Sequence, residues 1–178
     1  MDFSYTEEQQ MLQESVLKFV QNQYDFATRN QIIASDDGYS KEYWSLFAEL
    51  GWLTVPFDEA DGGFGGCAVD MVVMMEEFGK AMLVEPFAGT AILAGRLISE
   101  LAEGEARAAL IRQIMEGGLQ VSLAYAEAGS RFNAASVRTT AKVDGDNVII
   151  SGTKVAVLSG SGTDKLLVVA RESGGDTD

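Results

Sequence analysis

The sequence predicts a protein of two successive parts, an all-α helical bundle followed by an incomplete, antiparallel, barrel-like β-domain. Helical periodicity dominates residues 6–115, whereas strand-length runs rich in Val, Ile, Leu and Thr follow Gly117 and Gly118. Helices that precede strands, instead of alternating with them, indicate separate α and β regions. The predicted domains are therefore residues 1–117 and residues 118–178.

Capping residues mark the first predicted helices. Residues 6–9, Thr-Glu-Glu-Gln, have the spacing of a capping box, and helical periodicity continues to about Gln21. Ser40 is predicted to cap a second helix, which ends at Gly51 because glycine tolerates a left-handed backbone. The stripe expected to be buried on this second helix comprises Tyr43, Leu46, Phe47 and Leu50.

A third helix is predicted over Ala68–Lys80 and is apolar on nearly all sides as far as Glu76. Such a helix is expected in the middle of a bundle, with its methionines filling gaps in the core. Cys67, the single cysteine, precedes it and is expected to be a buried structural thiol. Further helices are predicted at about 90–101 and 105–115, with the short connections typical of an antiparallel bundle.

The second part contains four predicted strands, at residues 119–125, 137–143, 147–158 and 165–170. Residues 144–147, Asp-Gly-Asp-Asn, are typical of a tight hairpin turn. Because so few strands leave an unpaired sheet edge, the chain is expected to be incomplete, and a dimer or tetramer is expected.

Composition and charge exclude several functional classes. The chain has 178 residues, of which 47% are hydrophobic, enough for a packed core. Its formal net charge of -14 disfavours nucleic acid and anionic membranes as partners. Histidine is absent, so a Ser-His-Asp triad and the usual zinc sites are excluded, and no metal site is predicted. With no signal sequence and no apolar run of about 20 residues, the protein is predicted to be soluble and cytoplasmic.

Glycine-rich segments superficially suggest phosphate-binding loops. Residues 62–66 lack the Lys-Ser/Thr ending of a P-loop and follow the acidic Asp58, Glu59 and Asp61, so a tight surface turn is favoured. Residues 160–163 form a loop between strands with no helix behind it.

An ordered set of short motifs resembles the acyl-CoA dehydrogenase family over essentially the whole chain. In the helical part these motifs are YWSLFAELGW at 43–52, Val-Pro at 55–56, GGFG at 62–65, EEFGK at 76–80 and EPF at 85–87. In the β part, residues 122–130 resemble the family's first flavin-contacting loop, and residues 151–160 resemble the second. Each motif alone is weak, but their shared order and spacing indicate the family.

The resemblance implies FAD as cofactor, an acyl-CoA thioester as substrate and an electron-transfer flavoprotein as electron acceptor. In the family, a glutamate of a C-terminal helical domain removes the α-proton of the thioester while the β-hydride passes to the flavin. That domain and its glutamate are expected to lie beyond residue 178, so no catalytic residue is assigned in this segment. Homologous subunits are also implied as partners.

Carried over position by position, the resemblance implies a flavin wall made of two segments. Residues 121–130 would pass along the flavin, and residues 156–158 would face its ring. The cofactor-binding residues so implied are Val121, Leu123, Ala124, Gly129, Ser130, Ala156, Val157 and Leu158. Ser130 and Arg131 would bind the substrate. For Val157 and Leu158, ordinary strand residues are the alternative.

The chain departs from the family pattern at several of these positions. Ala124 and Leu158 stand where the family has threonines, Ala156 where it has a tryptophan, Tyr125-Ala126 where it has glutamate-proline and Arg131 where it has aspartate. Two side-chain hydrogen bonds of about 0.5–1.5 kcal/mol each would be missing. These departures predict weak flavin binding, or a flavin shared with a partner subunit.

Three interpretations are open at this point. The first is an acyl-CoA dehydrogenase with an unusual flavin site. The second is a non-catalytic, flavin-poor subunit of a heteromeric member of the family. The third is a helical interaction module without a ligand.

Overall fold

The computed structural model describes residues 4–131 and 133–175, so residues 1–3, 132 and 176–178 of the predicted domains lie outside the described residues. The α-helices are α1 Glu7–Gln23, α2 Phe26–Ile33, α3 Lys41–Glu49, α4 Ala68–Lys80, α5 Gly95–Leu101 and α6 Gly104–Met115. A π-helical segment, Phe87–Ala94, runs directly into α5, and short 3₁₀ turns occupy Trp52–Thr54 and Glu59–Asp61. The strands are β1 Val121–Ala124, β2 Thr140–Asp144, β3 Asn147–Ser151 and β4 Lys165–Val168.

The predicted helix caps are present. The N–H of Gln9 donates to Thr6 Oγ1 over 3.2 Å, and the N–H of Thr6 donates to Gln9 Oε1 over 3.1 Å, which confirms the capping box. Ser40 Oγ likewise accepts from the N–H of Tyr43, and Gly51 ends α3 with a φ of 75°. Helix α2 was not predicted, because its 8 residues bury Ile32 alone and so carry no helical apolar stripe.

An aromatic cluster forms the core of the helical part. The Phe47 ring lies 4.9 Å from Trp52, 5.3 Å from Phe19 and 5.7 Å from Phe78, measured between centroids. Such offset and edge-to-face contacts between rings stabilise the core beyond the area that they bury. On α3 the buried residues are Trp44 and Phe47, whereas Leu50 follows the last helical turn and is 45% exposed, so the predicted stripe was wrong at that position.

Helix α4 and Cys67 differ from the prediction. Val73, Met74 and Phe78 are buried, but Val72 is 58% exposed, so one side of α4 faces outward and the helix is not enclosed by the bundle. Cys67 is exposed, because it occupies the N-cap of α4 at the surface, where its N–H donates to the Asp70 carboxylate over 2.6 Å.

The glycine-rich loop before α4 is a tight turn, as predicted. Its backbone passes so close to Phe57 that a Cβ on Gly63 would lie 2.2 Å from the Phe57 carbonyl oxygen. The carboxylate of Asp61 is held by both terminal nitrogens of Arg107 at 2.6 and 2.7 Å. The acidic loop is therefore tied to α6 by a bidentate ion pair.

The strands form two separate pairs. β2 and β3 make an antiparallel hairpin closed by Asp144 opposite Asn147, as the turn sequence predicted. β1, however, pairs with β4 in parallel, from Val121 opposite Lys165 to Ala124 opposite Val168. The expectation of an antiparallel, barrel-like domain is therefore not met: the hairpin intervenes between β1 and β4, so the chain returns to β1 by a crossover. The described residues contain no closed barrel.

A second core lies across the predicted domain boundary. Leu119 and Val121 pack in one buried cluster with residues of the helical part, namely Phe57, Ala94, Ile98, Ile111 and Ile114. The first strand is thus seated directly on the helices. Within the described ranges, no helix is both long enough and apolar enough to cross a membrane.

Candidate functional site

The first predicted wall segment, residues 121–130, begins with strand β1, which is hydrogen-bonded to the helical part. The buried Thr90 hydroxyl donates to the Val121 carbonyl over 3.1 Å and accepts from the Val121 N–H over 3.3 Å. After Ala124 the chain leaves the β1–β4 pair, and the Ala126 carbonyl accepts from the N–H of Val155 over 2.9 Å. That hydrogen bond places the segment after β1 directly beside the segment after β3.

The second wall segment rests on the helical part. Gly89, in the π-helical segment, lies so close to it that a Cβ on Gly89 would be 3.7 Å from both the Leu158 carbonyl oxygen and the Ser159 hydroxyl oxygen. A Cβ at that distance would make ordinary van der Waals contact. Residues 158–159 therefore lie next to the π-helical segment.

Left-handed backbone conformations concentrate within these two segments and directly after them. Among non-glycine residues with positive φ, Arg131 has 47°, Ala156 has 51° and Ser159 has 57°, and Gly129 adds a φ of 87°. Such conformations cost about 1–3 kcal/mol each for ordinary residues and cluster at functional sites. Their grouping here marks the two segments as a candidate site.

The predicted site residues differ in what they present. Val121 and Ala124 are 3% and 1% exposed, so only their main-chain groups could reach a ligand. Leu123, Ser130 and Val157 are half-buried. Four other predicted residues lie at the surface, namely Gly129, Arg131, Ala156 and Leu158. The exposed apolar side chains are Tyr125 at 39%, Val155 at 38% and Leu158 at 53%.

Sequence reasoning missed a buried ion pair between the two segments. Lys154 Nζ lies 2.7 Å from Glu127 Oε1, with both side chains almost entirely buried. The Lys154 ammonium and the Thr139 hydrogen bonds hold the pKa of the Glu127 carboxyl well below its usual range. A carboxylate held in this way accepts hydrogen bonds but is a poor general base near neutral pH. Both residues lie in the motifs quoted above, but the sequence does not show that they meet.

The described residues of the two segments can orient a ligand. The two segments offer apolar side chains and main-chain groups, and no group of three or more Cys, Asp or Glu within the described ranges could hold a metal ion. A flat, largely apolar molecule suits such a wall, because it needs broad contact and few directed hydrogen bonds.

Comparison with known proteins identifies the family. Residues 6–118 match the model of the acyl-CoA dehydrogenase N-terminal domain. The chain belongs to the acyl-CoA dehydrogenase family. The matched region contains the six α-helices and ends just before β1, so the family assignment rests on the helical part.

Individual proteins extend the similarity into the strands. The acyl-CoA dehydrogenase IpdE2 of Mycobacterium tuberculosis is 32% identical over 152 residues, which cover 75% of this chain and 48% of that protein. The ChsE4-ChsE5 complex from Mycobacterium tuberculosis superimposes with a TM-score of 0.85 at 22% identity, covering 98% of this chain and 47% of that one. The FAD complex of PigA superimposes with a TM-score of 0.84 at 19% identity, covering 99% of this chain and 46% of that one.

 At these two identities the likeness to solved structures shows the fold alone.

The chain spans slightly less than half the length of each of these proteins. The activity, substrates and partners of a whole acyl-CoA dehydrogenase therefore enter below as proposals.

The two segments suit apolar contact with the face of a flavin ring better than side-chain hydrogen bonding to the ring. The exposed side chains of Tyr125, Val155 and Leu158 suit contact with an apolar ring face. Ala124, Ala156 and Leu158 carry no hydrogen-bonding side chain, so polar contacts to the ring would come from main-chain groups. The residues present are thus compatible with a flavin that is packed against the wall and held by few side-chain hydrogen bonds.

Proposed function

We propose that this chain forms part of an FAD-dependent acyl-CoA dehydrogenase, which oxidises an acyl-CoA thioester to the 2,3-enoyl-CoA. The observation that carries the proposal is the hydrogen bond between Ala126 and Val155, which places the two segments, with their exposed apolar side chains, beside each other. Membership of the family supports the same conclusion.

The chain's own residues would position the cofactor and the thioester. When bound, FAD supplies the hydride acceptor for the reaction. Leu158 and Tyr125 would provide apolar contact, while the left-handed turn at Gly129 leaves open space around its backbone. Ser130 would offer a hydroxyl to the thioester, and the exposed Arg131 a cation to the anionic CoA.

Partners of the whole protein follow from the same proposal. The electron acceptor would be an electron-transfer flavoprotein, and homologous subunits would complete a dimer or tetramer. The proposed location is the cytoplasm. Exposed apolar side chains on the β2–β3 hairpin support burial by further protein, namely Val143, Val148, Ile149 and Ile150.

A second candidate is a flavin-poor subunit of a heteromeric acyl-CoA dehydrogenase. The absence of hydrogen-bonding side chains at 124, 156 and 158 favours it, since these positions weaken the hold on the flavin from this chain. The similarity in fold to a complex of two named proteins, ChsE4 and ChsE5, is compatible with it.

Flavin content separates these candidates. The complete gene product is purified alone and after coexpression with homologous subunits encoded nearby, and the visible spectrum is recorded. A flavin spectrum from the protein alone supports the first candidate, and one that requires the homologous subunit supports the second. A colourless protein in both preparations, with no affinity for acyl-CoA esters, would overturn both and favour an interaction module.

A further inference from the structure

The Glu127 carboxylate accepts hydrogen bonds from two segments of the β region, residues 138–139 and Lys154. Its Oε1 atom accepts from Lys154 Nζ at 2.7 Å, from Thr139 Oγ1 at 2.7 Å and from the Thr139 N–H at 2.9 Å. Its Oε2 atom accepts from the Arg138 N–H at 2.8 Å. Lys154 Nζ also donates to the Tyr125 carbonyl over 3.1 Å. Glu127 is therefore the centre of a network, not one half of an isolated pair.

This network is buried. The Lys154 and Glu127 side chains are 8% and 7% exposed, so both charges have lost most of their water. The attraction within a buried ion pair is largely offset by the loss of hydration, and such a pair is weak evidence for added stability. The ion pair therefore serves mainly to fix the relative geometry of the two segments that carry the charges.

The segments that the network fixes are the two halves of the flavin wall. Glu127 lies two residues before Gly129, and its carbonyl accepts from the Ser130 N–H over 3.1 Å. Lys154 precedes Val155 and the left-handed Ala156. The ion pair thus lies beside the Ala126–Val155 hydrogen bond, and a change in it would shift both halves relative to each other.

We propose that Glu127 and Lys154 are positioning residues, which set the separation of the two segments that would contact the flavin. This inference rests on the proposed function. Neither side chain needs to touch the cofactor, because the carboxylate and ammonium are engaged with each other and with the main chain.

The test compares a disrupted pair with a conserved charge. Lys154→Met removes the ammonium, and Lys154→Arg keeps a cation. Asp61→Asn is the matched control, since it breaks the Asp61–Arg107 ion pair in the helical part. The sample is the assembly that binds flavin, prepared in its flavin-free form. FAD affinity is measured by titrating this form with FAD. The flavin absorption spectrum and the thermal midpoint of the flavin-free form are recorded as well.

We expect Lys154→Met to weaken FAD binding by about tenfold or more, the size of effect that loss of a supporting partner has at metal sites. Lys154→Arg should recover most of the affinity, and Asp61→Asn should leave it unchanged. If Lys154→Met does not fold, Thr139→Val removes one hydrogen bond to the carboxylate while keeping the pair, and should weaken FAD binding by a smaller factor.

Equal FAD affinity and spectra in wild type and the Lys154 and Thr139 variants would overturn this inference and leave the proposed function standing. An equal loss of affinity in Asp61→Asn would also overturn it, because the effect would then follow general stability. A wild-type protein that binds no FAD, alone or with a homologous subunit, would overturn the proposed function as well.

Discussion

The hydroxyl of Thr90 both donates to the carbonyl and accepts from the N–H of Val121, so a single side chain satisfies both main-chain groups at the start of the first strand. Thr90 belongs to the helical part and is fully buried. Together with the core shared by Leu119, Val121 and helical residues, this contact makes the strand an extension of the helical structure.

Thr90→Val is expected to destabilise the protein. Valine has nearly the shape of threonine but leaves the buried Val121 N–H and carbonyl without this partner, which costs about 1–3 kcal/mol in the free energy of unfolding. Urea denaturation followed by far-UV circular dichroism measures the loss. Thr90→Ser keeps the hydroxyl and should lose less; a loss in Thr90→Ser that exceeds the loss in Thr90→Val would show that the methyl group matters instead.

Two glycines are expected to respond oppositely to alanine. Gly63→Ala should destabilise, because the added Cβ would lie 2.2 Å from the Phe57 carbonyl oxygen and the loop would have to move. Gly79→Ala should stabilise by about 0.5–1 kcal/mol, because the residue lies in α4 with open space around it. Thermal midpoints of both variants measure the contrast, and a shift of the same sign in both would contradict it.

The helical part could be predicted largely from local sequence, whereas the strands could not. Caps such as Thr6 and Ser40 act within a few residues, so the ends of α1 and α3 were readable. The pairing of β1 with β4 joins Val121 to Lys165, and nothing in the local pattern of either strand fixes their relative direction. Cys67 was placed inside because cysteine is commonly buried, but its capping position holds it at the surface.

The exposure of Cys67 predicts that its thiol is reactive in the native protein. Its thiol should react with a thiol reagent such as Ellman's reagent in the native protein, because access to it does not require unfolding. The reaction rate in buffer is compared with the rate in urea, and Cys67→Ser supplies the blank. A thiol that reacts only after unfolding would contradict the exposed position.

Glu85 is expected to make stability depend on pH. Burial raises the pKa of the Glu85 carboxyl and outweighs the opposing effect of the Tyr24 hydroxyl and of the Ser40 N–H, which donates to Oε1 over 3.2 Å. A carboxyl whose pKa is higher in the folded state stabilises that state below its unfolded pKa, and this contribution is lost as pH rises through the folded pKa.

Glu85→Gln should therefore raise the thermal midpoint relative to wild type at pH 8, and the difference should shrink as the pH falls to about 4, near the unfolded pKa of glutamate. Thermal melts across this range measure the difference. Glu172→Gln, an exposed charge-matched control, should show no comparable trend. A difference that grows towards acid pH would contradict the assignment.

The two segments of the candidate site could be predicted from the sequence, but the orientation of their side chains and the contact between them could not. The family motifs located residues 121–130 and 156–158, yet the side chains of Val121 and Ala124 face the core. The Glu127–Lys154 pair joins positions 27 apart in sequence, and short motifs carry no information about such contacts. Tertiary packing decides both features.

In the proposed enzyme, the surface around Leu158 packs against the flavin. Leu158→Glu places a charge on that surface, and Leu101→Glu places the same charge on an exposed leucine at the end of α5. FAD affinity, measured by fluorescence titration in the assembly that holds flavin, should fall markedly for Leu158→Glu and stay at the wild-type value for Leu101→Glu. Wild-type affinity in Leu158→Glu would contradict the account.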